Sequence, residues 1–197
     1  MFTHAATDHA ARAATIGIGR KAAGSGCAIA PRLTLTADHV LRNAGNSDLI
    51  AFADTLEPRA CKVVYRNPSH DIAILESDGD VTNRGPCPVR FEWPPLGTSV
   101  GFYSRLKMGG KDVPYFAQAA IASYLYEPEP LSLGLSGVIL QFGFSGSAVF
   151  DTQGRIAGVL IQRRTAKGDL PGEFLQLGVV APMFPLKDAL ATFFQIG

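Results

Sequence analysis

The sequence predicts an all-β fold: two six-stranded antiparallel β-barrels followed by a C-terminal α-helix. Three observations carry this reading. Short apolar or alternating segments recur between turn signals. A stretch rich in Gly, Pro and Asp divides them into two sets of six. The end of the chain then switches to the 3.6-residue period of a helix.

The first set covers residues 15–19, 26–30, 33–36, 49–53, 61–65 and 72–76, and six such strands make one barrel when the sheet closes. Residues 77–95 contain Asp78-Gly79-Asp80, Gly85-Pro86, Pro88 and Pro94-Pro95, too many breakers for an element, and read as the crossover. The second set covers 99–103, 115–124, 137–141, 148–151, 156–162 and 174–181. The halves repeat in architecture, with no internal sequence match evident. Over 185–194, Pro185 suits a first helical position, and Leu186, Ala189, Leu190, Phe193 and Phe194 form one apolar stripe, expected to pack on the second barrel. The expected organisation is one unit over 1–197, with a first barrel at 15–77, a crossover at 78–95, a second barrel at 96–182 and a helix at 183–197. Residues 108–111 and 127–134 are expected to be surface loops able to gate a cleft.

Chemistry concentrates in Gly143-Phe144-Ser145-Gly146-Ser147-Ala148, which sets one serine on a glycine-flanked turn just before a strand. Gly143 permits a sharp turn, so that its N–H and that of Ser145 can both face a carbonyl oxygen gaining charge. A serine hydroxyl needs a neutral imidazole to take its proton and a carboxylate to fix that imidazole's tautomer. Upstream, the alternating strand Leu33-Thr34-Leu35-Thr36 leads to His39 where the strand hands over to a short turn, and Asp71 stands at the mouth of the apolar run Ile72-Ala73-Ile74-Leu75. The candidate catalytic set is His39, Asp71 and Ser145, with Gly143 and Ser145 as oxyanion hole.

These residues resemble a family, the trypsin/chymotrypsin-fold serine proteases, and within it the bacterial HtrA/Deg-type branch. The resemblance rests on Gly24-Ser25-Gly26-Cys27, Thr36-Ala37-Asp38-His39-Val40, Asp71-Ile72-Ala73-Ile74-Leu75, the Ser145 turn, and the later Gly154-Arg155-Ile156-Ala157-Gly158-Val159 and Gly178-Val179-Val180-Ala181-Pro182. Each motif alone is weak; together, in this order, they are specific. The resemblance implies a serine endopeptidase working through an acyl-enzyme, a protein or peptide substrate, and no cofactor. It places Ile139, Leu140, Ile161 and Gly178 around the primary pocket, and the substrate backbone along Ile161, Gln162 and Arg163. No acidic residue takes the place that selects Lys and Arg, so a small-to-medium apolar side chain is expected there.

Two residues depart from the family pattern. Phe144 stands where the family has Asp or Asn, which excludes the ion pair that activates zymogen-type members. Asp38 replaces a small residue beside His39, where it either acts on the imidazole as a second carboxylate or sits in solvent, and solvation is the expectation. Many HtrA-type proteins carry a PDZ region, and none is seen after the helix, so regulation through such a domain is not expected.

Composition narrows the alternatives. A hydrophobic fraction of 47%, 18% charged residues and a net charge of +1 are those of an ordinary globular domain, with no electrostatic case for nucleic acid. No apolar run is long enough to span a membrane, and residues 1–14 lack the apolar core of a secretory signal, so a cytoplasmic protein is expected. Cys27, Cys61 and Cys87 lack metal-site spacing and are expected to be free, mostly buried thiols, and no metal site is expected. Two other readings stay open. One is a trypsin-fold binding or scaffold module, latent or inactive until a partner engages it. The other is an effector protease whose targets a regulatory partner protein selects.

Overall fold

The computed structural model describes residues 15–18, 24–44, 50–52, 59–81, 87–108, 111–125, 131–137, 141, 143–167 and 174–193. Twelve strands form two closed barrels. The first contains β1 (Thr15–Ile18), β2 (Gly24–Ala30), β3 (Leu33–Ala37), β4 (Ile50–Phe52), β5 (Arg59–Asn67) and β6 (Ile72–Ser77) in the order β1-β2-β3-β6-β5-β4. The second contains β7 (Ser99–Met108), β8 (Lys111–Leu125), β9 (Ser132–Ser136), β10 (Ala148–Asp151), β11 (Ile156–Lys167) and β12 (Phe174–Pro182), joined in the equivalent order β7-β8-β9-β12-β11-β10. Every pair of neighbouring strands is antiparallel, and closure through β1–β4 and β7–β10 leaves no sheet edge exposed.

Alternation explains the strands that build the site. In β3 the Leu33-Thr34-Leu35-Thr36 pattern pairs with β6 so that Leu35 faces Ile74 and Ala37 faces Ile72. Leu35, Ile72, Ile74 and Leu75 are fully buried in an apolar cluster that also takes in Phe150, Ile156 and Met183 of the second half. A second cluster fills the other barrel with Phe102, Ile121, Leu133, Leu135, Phe144 and Val180. The crossover carries one parallel bridge, Val89 to Ile156, fastened by Arg90 N–H to the Ile156 carbonyl and Ile156 N–H to the Pro88 carbonyl, both 2.8 Å.

Five local expectations are corrected. Residues 137 and 141 are not in a strand; β9 lies earlier, at Ser132–Ser136, because Gly137 at φ 82° breaks the extended run. It follows that 131–134 is not a surface loop, with Leu133 and Gly134 buried, while 127–130 lies outside the described residues. After β3 the chain enters a helix rather than a turn: α1 (Asp38–Ala44) starts with an acidic residue at its positive end and buries Val40 and Leu41.

The C-terminal segment is shorter than the stripe suggested, with a 3₁₀ turn at Phe184–Leu186 and α2 at Lys187–Leu190. Leu186 and Leu190 are buried, but Ala189 faces solvent because the tighter first turn rotates it off the stripe. This segment joins the cluster dominated by the first barrel, and the Phe193 ring meets Tyr65 of β5 edge-on at 5.8 Å. The expected packing on the second barrel alone is therefore replaced by a brace across both halves. Phe194 lies outside the described residues. Truncating Leu190, which is fully buried, to alanine is expected to lower the unfolding free energy by about 3 kcal/mol, and Phe193→Ala by less because that residue is only partly buried, as read by urea unfolding.

Candidate active site

Strand pairing brings the first two candidates together. With Ala37 opposite Ile72, the residues just after β3 and just before β6 share one end of the first barrel. Asp38 N–H donates to the Asp71 carbonyl at 3.1 Å, closing that end of the ladder. Asp71 adopts a left-handed backbone, φ 54°, which Asp tolerates better than most residues, and this turns its carboxylate toward α1. There it accepts the His39 backbone N–H on Oδ1 at 2.8 Å and meets His39 Nδ1 with Oδ2 at 2.6 Å. With Nδ1 as donor, a neutral imidazole keeps its lone pair on Nε2, free to accept a proton from elsewhere.

Asp38, expected to be solvated, is instead fully buried. Its carboxylate takes a two-point contact from Arg66 of β5, Nε at 2.6 Å and Nη2 at 3.1 Å, with Arg42 Nε at 3.6 Å. That pairing holds the Arg66 guanidinium above its ordinary value, and it makes burial of the carboxylate tolerable. Arg42 also places Nη2 3.9 Å from Asp71 Oδ1, so one chain of charge runs Arg66, Asp38, Arg42, Asp71. The sequence signal was faint: an acid opening a helix with Arg four residues on, and no local clue to Arg66 on another strand.

The serine turn is built from the second barrel and pressed onto the first. Gly143 and Gly146 both have positive φ, 96° and 87°. Between them Phe144 is buried, its ring edge-on to Phe102 at 5.4 Å and stacked on Tyr115 at 5.2 Å. The Ser145 carbonyl accepts the Ser25 N–H at 2.8 Å, and Gly146 N–H donates to Leu160 at 2.7 Å. A Cβ on Gly146 would collide with the Ser25 carbonyl and the Thr36 hydroxyl, and one on Gly24 would lie 2.6 Å from Val40 Cγ2 and 2.7 Å from the Ser145 carbonyl oxygen. Gly24 thereby sits against both the Ser145 carbonyl and Val40, the neighbour of His39. No hydrogen bond joins the His39 ring to the Ser145 hydroxyl among the described residues, and contacts of this kind often close only when substrate is bound.

The backbone of the turn has two N–H groups to offer. Those of Phe144, Gly146 and Ser147 are used within the fold, whereas those of Gly143 and Ser145 have no partner among the described residues. Ser147 N–H holds the Phe144 carbonyl at 3.1 Å, and because the two ends of a trans peptide point opposite ways, the Ser145 N–H is aimed out of the turn.

Beyond the turn, β11 bulges at Ile161, half-buried between the pairs Leu160–Val180 and Gln162–Val179. Arg163 pairs with Gly178, which pairs in turn with Leu135. Ile139 and Leu140 lie outside the described residues. Among the described residues no group of three His, Cys, Asp or Glu side chains could hold a metal ion. Two substitutions probe this construction. Arg66→Met leaves the buried Asp38 carboxylate without its two-point partner and is expected to cost about 3 kcal/mol by thermal or urea unfolding. Gly146→Ala, barred by both its φ and its contact with the Ser25 carbonyl, is expected to give a chain that fails to fold or loses the site.

Residues 24–159, more than half of the chain, match the model of the trypsin-like peptidase domain family. Among solved structures, the chain is similar to the active form of the Rv3671c protease from M. tuberculosis, with TM-score 0.69, 21% identity, and 94% of this chain and 82% of that chain covered. It is also similar to the serine endoprotease from Yersinia pestis, with TM-score 0.70, 20% identity and coverage of 97% and 66%. The MamO protease domain from Magnetospirillum magneticum gives TM-score 0.68, 19% identity and coverage of 93% and 98%. No curated protein matches the chain in sequence. At these identities the structural likeness shows the fold. With the family model running from β2 of the first barrel through the Ser145 turn of the second, the chain belongs to the trypsin-like peptidase domain family.

Proposed function

We propose that the chain is a serine endopeptidase that cleaves protein or peptide substrates through His39, Asp71 and Ser145 by way of an acyl-enzyme. The observation that carries this reading is the double contact of Asp71 with both the backbone N–H and Nδ1 of His39, because it orients an imidazole with Nε2 available. His39 Nε2 takes the Ser145 proton as Oγ attacks the substrate carbonyl. The N–H groups of Gly143 and Ser145 hold the oxyanion. His39 then returns the proton to the leaving amine, and water releases the acyl group by the same steps in reverse. The substrate adds as a strand along Ile161, Gln162 and Arg163, which satisfies its backbone while its side chains enter pockets.

Cys27, Cys61 and Cys87 form no disulfide, which suits a reducing compartment and supports a cytoplasmic location, and the motif order supports the HtrA/Deg-type branch. No described helix is long and apolar enough to cross a membrane. A second reading is a trypsin-fold module latent or inactive until a partner engages it, and the His39 ring and Ser145 hydroxyl, not hydrogen-bonded to each other, fit it as well as they fit a site that closes on substrate.

A fluorophosphonate probe and an unfolded protein substrate test both readings. Wild type is expected to label and to degrade the substrate, Ser145→Ala to do neither, and Asp71→Asn to be slowed by about 10⁴-fold. Labelling that survives Ser145→Ala rejects the assignment. Labelling of wild type only after addition of a partner extract supports the latent form.

A further inference from the structure

We infer that Ser25 is a positioning residue for the oxyanion-binding N–H groups, with Ser104 as its second support. The inference rests on Ser145 being the nucleophile and adds a residue, on the other barrel, that sets how well its turn works.

Ser25 and Ser104 are both fully buried, one on β2 and the other on β7. Ser25 Oγ lies 2.8 Å from the Gly143 carbonyl oxygen, 3.0 Å from Ser104 Oγ and 3.0 Å from the Arg105 backbone N. Ser104 Oγ lies 3.1 Å from the same carbonyl oxygen. A hydroxyl has one proton and two lone pairs, and a carbonyl oxygen accepts twice. Ser25 donates to the Gly143 carbonyl and accepts from Arg105 N–H, while the single proton of Ser104 goes either to the same carbonyl or to Ser25 Oγ, and in both cases it braces that contact.

The backbone of Ser25 works on the same turn. Its N–H donates to the Ser145 carbonyl at 2.8 Å, and its carbonyl, steadied by the Thr36 hydroxyl at 2.7 Å, is the surface against which Gly146 fits. One residue of the first barrel therefore holds the carbonyls on both sides of Phe144. This matters because Gly143 at φ 96° has no side chain to restrict it. Nothing local stops rotation about its bonds, and rotation would change the direction of its N–H relative to that of Ser145. The buried pair of hydroxyls supplies the missing restraint. An anion-binding pair of N–H groups is effective only when both already point at the place where charge develops.

The test uses a fluorophosphonate on the full chain. Ser145 Oγ bonds to phosphorus as the P–F bond breaks, fluoride leaves, the serine proton passes to His39, and the phosphoryl oxygen occupies the oxyanion position. Labelling is followed against probe concentration for wild type, Ser25→Ala and Ser104→Ala, with the final labelled fraction recorded. Ser25→Ala is expected to lower the saturating rate constant on the order of 10-fold, with the half-saturating concentration and final fraction unchanged. Loss of stability alone would lower the final fraction and leave the rate constant of the labelled molecules at the wild-type value, and that result overturns the proposal. Should Ser25→Ala not fold, Ser104→Ala carries the test: a smaller drop in the rate constant supports the proposal, and an unchanged one overturns it. A wild type that stays unlabelled even with a partner extract added, or is labelled at a residue other than Ser145, rejects the protease assignment itself and is thereby distinguished from failure of this inference.

Discussion

The site depends on the register of one ladder. Because Ala37 faces Ile72, the chain leaves β3 and enters β6 at the same end of the first barrel, and His39 and Asp71 meet there. Both faces of β3 and β6 are buried, so a slip of one residue would exchange Leu35 with Thr34 or Thr36 and force both faces to repack, and the packing of the barrel thereby favours the register that pairs imidazole and carboxylate. The short reach of the two side chains is possible only because Asp71 takes the left-handed backbone that aims its carboxylate at α1.

The rest of the site is held by two unlike means. On the first barrel, charge is buried and paired: Asp38 sits inside with Arg66 and Arg42 around it, fixing the start of α1 and hence the backbone of His39. The carboxylate is buried while both guanidinium groups reach the surface, so the pair adds little net stability, but leaving the carboxylate unpartnered is costly and the contact acts as a constraint on geometry. On the second barrel, the residue before the serine is anchored by apolar packing. Phe144 fills the core between Phe102 and Tyr115, and burial of such a ring contributes about 2–3 kcal/mol. The turn thereby holds its place without an ion pair to a freed N-terminus. Where the two halves touch, Ser25 joins them with hydrogen bonds to the Gly143 and Ser145 carbonyls.

Much of this was legible in the residues. Alternation in Leu33-Thr34-Leu35-Thr36 and the apolar run after Asp71 marked β3 and β6, and the glycines around Ser145 marked the turn. What stayed hidden has physical causes. In β9, Gly134 looked like a turn residue, yet it is glycine because the Ser123 side chain packs where its Cβ would stand. Helix α1 spans only seven residues, too few to show a period. Asp38 and Ser25 were misjudged or passed over because their partners are far along the chain, Arg66 by 28 positions and Gly143 by 118. Local pattern cannot tell a serine that holds a distant carbonyl from one that merely lines a strand.

The most direct measurement is the pre-steady-state release of p-nitrophenol from p-nitrophenyl acetate, followed by mass spectrometry of the trapped protein. The account predicts a rapid burst of one equivalent per chain, with the acetyl group on Ser145. A release that is linear from the start, or an acetyl group carried by Ser147 or any other residue, would contradict it.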